Sequence, residues 1–232
     1  MIDKFVTADE HYGHRNIIVF CKRPFTDIDD MREKLIAAHN SKVPKGGLTY
    51  HIGDMFWRTL SVDAALDIID RLNGQHIFVY GNHDELIEGS AVLRKKFLKV
   101  SERLVLDKTE ITPKIVLDHY AGRVWKNSHN GSWQLYGHSH GELTEVNSLS
   151  FDVGVDTRPD FSPWSFEEIA EKMKAKSAAG ACDPMAEKIA KEPWPKMPII
   201  PTEVWTALKE QERIVESCTG ACSHLPVRRC VE

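Results

Sequence analysis

The chain has 232 residues, of which 42% are hydrophobic and 28% charged, and its formal net charge is -4. That size and mix suit one sizeable folded domain plus a tail, and exclude a small scaffold that needs disulfide staples. The acidic balance argues against a strongly basic nucleic-acid platform, and no apolar run reaches the ~18–20 residues of a membrane span. The start, Met1-Ile2-Asp3-Lys4, lacks the basic-then-apolar profile of a secretory leader, so the expectation is a cytoplasmic protein with no membrane partner.

In chain order, Lys4–Thr7 reads as a short strand running into Asp9. A helix is predicted over 29–40 from the spacing of Met31, Leu35, Ile36 and Ala38. Gly46-Gly47 breaks the chain before a strand over 48–52 that ends at Gly53-Asp54. Ser61 is placed to cap a helix running to Leu72, and Asn73-Gly74 stops it. The run 76–80 is a buried strand ending at Gly81-Asn82. Strand, helix, strand, helix, strand is the βαβ pattern of an α/β layered domain. After a helical stretch at 91–98 the chain becomes strand-rich, with strands expected over 100–107, 114–119, 133–136 and 150–155. Pro163-Trp164-Ser165 then opens a last core helix to about Lys176, with Ser162 or Ser165 as its cap.

Three of these strands end in hard, metal-capable side chains: Asp9-Glu10-His11, Gly53-Asp54 and Gly81-Asn82-His83-Asp84. In open α/β sheets ligands sit beyond the carboxyl ends of strands, so these residues converge on one edge. Gly53 and Gly81 leave room for sharp turns beside that ligand. The strand-rich half adds His119 and the pair His138 and His140. In an extended segment that pair points to one side and could grip one or two metals. Taken singly, an Asp-x-His or a Gly-Asp is an ordinary turn; the shared position after strands is what singles them out. A set of carboxylates, an amide and imidazoles without thiolates suits Mn, Fe, Zn or Ni better than Ca or Mg.

These motifs, in this order, resemble the five motifs of the calcineurin-like metallophosphoesterases. The stretches Tyr12–Ile18, Arg23-Pro24-Phe25, 119–141 and Asp152–Asp156 further resemble a small bacterial and phage branch of that superfamily. The resemblance covers about residues 1–176. It implies a four-layer αββα sandwich of two mixed β-sheets flanked by helices. It also implies two divalent cations, manganese foremost with iron, zinc or nickel as alternatives. One would take Asp9, His11, His140 and a bridging Asp54; the other would take Asp54, Asn82, His119 and His138. The implied reaction is hydrolysis of a phosphomonoester or phosphodiester by a metal-bridging hydroxide. His83 would then serve the leaving oxygen, and Asp84 would orient it or cap the following helix. His14 and Arg123 are candidates for substrate contacts, each with a plain surface residue as the alternative. Met55-Phe56-Trp57 after Asp54 and Tyr80 before Gly81 depart from the protein phosphatases of that superfamily.

The expected organisation is a catalytic domain over 1–176, an Ala/Pro-rich linker over 177–201 and a helix with a cysteine-containing tail over 202–232. Cys218, Cys222, His224 and Cys230 could make a Cys₃His zinc site, but one residue between Cys222 and His224 is poor spacing, and reduced cysteines are the plainer reading. The expected partner is a phosphoester small molecule or nucleotide, with nucleic acid not favoured. A nuclease of the same superfamily and a non-enzymatic metal-binding scaffold are the alternatives. Nothing in the sequence sets the oligomeric state.

Overall fold

The computed structural model describes residues 2–143 and 148–181. Residues 182–232, and with them the four-residue zinc candidate, lie outside the described residues. The chain divides into two compact units, Met1–Ala190 and Lys191–Glu232, and every described residue belongs to the first.

The elements run β1 (Lys4–Thr7), α1 (Ile17–Phe20), α2 (Ile28–Lys42), β2 (Leu48–Ile52), α3 (Val62–Arg71), β3 (Gln75–Val79), α4 (Glu85–Gly89), α5 (Ala91–Arg94), β4 (Lys99–Ser101), β5 (Leu104–Leu106), β6 (Ile115–Leu117), β7 (Trp133–Tyr136), β8 (Ser150–Asp152), β9 (Trp164–Ser165) and α6 (Phe166–Ala178). Helix starts follow the sequence chemistry. Asp27 accepts the amides of Asp29 and Asp30 ahead of α2, and Ser61 accepts that of Ala64 ahead of α3. Ser165 and Glu168 form a reciprocal capping box on α6.

Two mixed sheets result. The first has the order β4-β3-β2-β1-β9, parallel except for β9; the second has the order β5-β6-β7-β8, parallel except for β5. They pack through one apolar core, in which Val6, Tyr50 and Ile52 of the first meet Leu117, Leu135 and Phe151 of the second. Ile169 and Met173 of α6 enter the same core, and α6 runs against β1 and β9. A second core joins Met31, Leu35, Ile68 and Ile69 of α2 and α3 to Phe78 of β3. The result is an α/β sandwich of two mixed sheets flanked by helices. No helix among the described residues is long and apolar enough to cross a membrane.

Four details differ from the sequence expectation. The run 100–107 is not one strand: the chain turns at Glu102-Arg103, where the Ser101 hydroxyl donates to the Arg103 carbonyl at 2.8 Å. β4 therefore closes the first sheet and β5 opens the second. The stretch 91–98 is helical only over α5. Trp164-Ser165 pairs with β1 before α6 begins. The four-residue α1 carries no capping side chain and was not expected.

Candidate metal centre

β1, β2 and β3 are parallel neighbours, so their carboxyl ends deliver Asp9, Asp54 and Asn82 to one edge. β6 and β7, parallel in the second sheet, end just before His119 and His138. The loops after β1 and β2 stay in register past the strands: the amides of Asp9, His11 and Tyr12 donate to the carbonyls of Gly53, Asp54 and Met55 at 2.9–3.1 Å.

The backbone there is strained. Asp9, His11, Asp54, His138 and His140 all have positive φ, between 48° and 69°; only three other non-glycine residues among the described ones do. Left-handed conformations at such residues persist where the surroundings over-determine them, and they gather at functional sites. They also correct the period-two argument for His138 and His140. That segment is not extended, and the two rings go to different groups. Close approach demands glycine at two neighbours: a Cβ on Gly81 would overlap Asp54 Oδ1, and one on Gly53 would overlap His119 Nδ1.

Two groups each bring three ligand atoms within 4.8 Å of one another: Asp9, His11 and His140; and Asp54, His119 and His138. Asp54 stands between them, its Oδ2 lying 3.6 Å from His11 Nε2 and 3.5 Å from His119 Nε2. Asn82 Oδ1 is 3.1 Å from His119 Nε2 and so joins the second group. All seven residues expected as ligands are therefore brought together, and these His/Asp groups could bind a metal ion.

The donor set fits a cation. His11 is buried with neither ring nitrogen hydrogen-bonded among the described residues, which is costly unless something else fills the gap. His119 Nδ1 lies 2.8 Å from the Ile52 carbonyl and His140 Nδ1 lies 2.7 Å from Asp156 Oδ2. A proton on each Nδ1 leaves Nε2 as the electron-pair donor, the arrangement that orients metal-ligating imidazoles. Asp9 takes the His138 amide on both carboxylate oxygens, at 3.0 and 2.9 Å.

Charge in the metal-free cluster is sorted by burial and pairing. Burial pushes Asp9 up to about 8 and His11 down to about 3. At His119 and His140 burial acts to lower the ring, but the bonds to Asp54 and to Asp156 outweigh it and raise them to about 9 and about 10. Asp54, where burial alone would raise the carboxyl, is held down at about 2 chiefly by His119.

Asp84 is not arranged as expected. Its carboxylate accepts the amides of Gly81 at 2.6 Å, Asp54 at 2.9 Å and Met55 at 3.2 Å. Among the described residues it makes no hydrogen bond to the His83 ring and no side-chain cap on α4. Three backbone donors that converge on one buried carboxylate account for its position. His83 lines the cleft, 5.7 Å ring to ring from His11, and its amide donates to Asp54 Oδ1 at 2.9 Å. His14 lines it too. Arg123 is exposed and does not.

Several supporting residues had no assigned role in the sequence reading. Arg23, buried, grips Asp156 through Nε and Nη2 at 2.8 and 2.7 Å, and donates to the carbonyls of Asp9 and Glu10. It thus ties the β1 loop to the carboxylate that orients His140. Behind the cluster, Glu10 shares a 2.7 Å hydrogen bond with His51. Cys21, His140 and Asp156 form a third close group, but Asp156 there is already held by Arg23 and His140.

No family model matches the sequence. An uncharacterised protein of Methanocaldococcus jannaschii is 27% identical over 136 residues, 59% of this chain and 68% of that one. The crystal structure of a protein of unknown function from Aquifex aeolicus superposes with a TM-score of 0.58 at 20% identity, covering 74% of this chain and 100% of that one, a likeness of fold. The crystal structure of phosphopantetheinyl hydrolase from Mycobacterium tuberculosis gives a TM-score of 0.27 at 15% identity over 51% of this chain and 42% of that one, too weak to carry an argument.

Proposed function

We propose that this chain is a metal-dependent phosphoesterase of the calcineurin-like kind, acting on phosphomonoester or phosphodiester bonds. The observation that carries the reading is the Asp54 carboxylate standing between two three-residue groups of ligand atoms, with His83 on the cleft wall beside them. Asp9, His11 and His140 would hold one divalent cation and Asn82, His119 and His138 the other, with Asp54 shared. Manganese, iron, zinc and nickel all suit this set of ligands. Bound there, such ions supply Lewis acidity and charge neutralisation at phosphorus.

The chain's own residues do the rest. Asn82 adds a neutral oxygen donor, which limits negative charge facing an anionic substrate. Asp54 is fixed from both sides, its amide on Asp84 and its Oδ1 on the His83 amide. That second bond also fixes the start of the His83 side chain relative to the bridge. From there the His83 ring donates a proton or hydrogen bond to the departing oxygen.

The test is metal content alongside turnover of aryl phosphate, bis-aryl phosphodiester, cyclic nucleotide and single-stranded DNA with added Mn²⁺. Asp54→Ala is expected to lose both metal and activity. His83→Ala is expected to keep metal and lose roughly 10²–10⁴-fold in rate. The reverse pattern would sink the assignment of roles. Turnover of DNA alone would favour a nuclease, and no turnover with metal bound would favour a scaffold.

A further inference from the structure

Beside the metal-capable groups, the cleft of about 500 Å³ is lined by the aromatic rings of Phe20, Trp57, His14 and His83 and by Ile17, with Asn16 and Cys21 among its polar lining. Phe20 ends the short helix α1 and is 69% exposed, beside Val19 at 74%. A single exposed apolar side chain is ordinary. Phe20 differs because its ring continues an unbroken series. It stands nearly perpendicular to the His14 ring, at 6.3 Å and 75°. His14 lies flat on Trp57 at 3.7 Å and 3°, and Trp57 reaches His83 at 4.9 Å. The series leads from the cleft mouth to the ring assigned to the leaving oxygen.

The wall is preformed. The Trp57 amide donates to the Tyr12 carbonyl at 2.9 Å, its carbonyl accepts the Leu60 amide at 2.9 Å, and the Arg58 guanidinium lies 5.0 Å from its ring. Flat aromatic faces with polar groups beside them, the exposed Asn16 and the His83 ring, match a heteroaromatic ring, which has a π face to stack and a polar edge to bond. A polyol or alkyl chain offers no such face.

We infer that the substrate is a phosphoester bearing a heteroaromatic ring of the nucleobase class, its phosphate at Asp54 and its ring against Phe20 and the His14–Trp57 stack. This rests on the phosphoesterase reading for the position of the phosphate. Phe20 sets the preference by stacking and takes no part in bond cleavage.

The experiment uses two non-cleavable ligands of equal charge, an adenosine phosphonate with carbon in place of the ester oxygen and the matching ribose phosphonate. Their binding to the Mn²⁺-loaded full chain is measured by calorimetry. The wild-type protein is expected to bind the adenosine compound roughly tenfold more tightly, the scale of one base stacked on one aromatic ring. Phe20→Ala is expected to erase that gap without weakening the ribose compound, and Phe20→Trp to restore it. Because Phe20 is largely exposed, these variants leave the core untouched. Equal affinities in the wild-type protein, binding of neither ligand, or a gap that survives Phe20→Ala would each overturn the inference. If the gap behaves as expected but no phosphoester is turned over, the hydrolase reading fails and the base-binding wall stands. If aryl and alkyl diesters are hydrolysed with equal kcat/KM and the gap is absent, the wall fails and the hydrolase reading stands.

Discussion

Asp84 gathers amides from two loops onto one buried carboxylate and so locks the end of β3 to the end of β2. Asp84→Asn keeps the shape but turns one acceptor oxygen into a donor facing a donor. A buried donor left unsatisfied costs about 1–3 kcal/mol. The variant is expected to melt at lower temperature and to bind metal more weakly, because Asp54 moves with its own amide. If Asp84 served only to charge-support His83, kcat alone would fall; calorimetry with a metal titration separates the two. The residues expected as ligands were legible because they follow strand ends closely, several of them with a glycine or a second histidine nearby. Their supports were not. Arg23 and Asp156 are 133 positions apart, and no local pattern joins them. Phe20 and Trp57 look like core residues in sequence, and only their place on the cleft wall distinguishes them. Asp84 was read as His83's partner because it is adjacent in sequence, whereas its oxygens point back along the chain to three amides.

At the level of elements, β1, β2 and β7 fall where their apolar residues and flanking turns place them, because these short strands are buried along nearly their whole length. The run 100–107 misleads for a physical reason. Val100 and Leu104 are both apolar, but one packs against the helices and the other between the sheets. A single period cannot show a strand that changes sheet after three residues. Helix starts were more readable, since a cap is a local bond. The Ser165 hydroxyl accepts the Glu168 amide at 3.2 Å, and the Glu168 carboxylate accepts the Ser165 amide at 2.8 Å. Ser165→Ala removes half of that box and is expected to cost about 1 kcal/mol. In a domain of this size that is a fall of roughly 2–4 °C in Tm. Metal content and turnover should not change, since α6 contributes nothing to the cleft wall. A loss of metal in this variant would mean that α6 braces the site through β1.

For the molecule as a whole, the cluster links stability to pH and to metal. In the metal-free protein His119 and His140 are raised to about 9 and about 10 from 6.5, and Asp9 to about 8 from 3.8. Each group then holds its proton more tightly folded than unfolded. Its stabilising contribution is complete below the unfolded value and is lost as pH rises through the folded one. Asp54, at about 2, has finished titrating below this interval, and the lowered histidines, such as His11 at about 3, oppose the trend only weakly, just above their unfolded value of 6.5. The chelated protein is therefore expected to melt at progressively lower temperature between about pH 7 and about pH 9. Metal acts in the opposite sense. A cation needs the unprotonated Nε2 of His119 and His140, so its affinity rises as those protons leave. Binding to the folded state alone adds stability that grows with affinity. The gap in Tm between metal-loaded and chelated protein should thus widen with pH across the same interval. His140→Gln should flatten part of the chelated protein's decline, because it removes the group that holds its proton to the highest pH of the three. Scanning calorimetry at the two pH values, with Mn²⁺ and with chelator, reads all of these quantities. A chelated protein equally stable at both, or a gap that narrows, would show that the pairs Asp54–His119 and Asp156–His140 do not hold their protons as this arrangement requires.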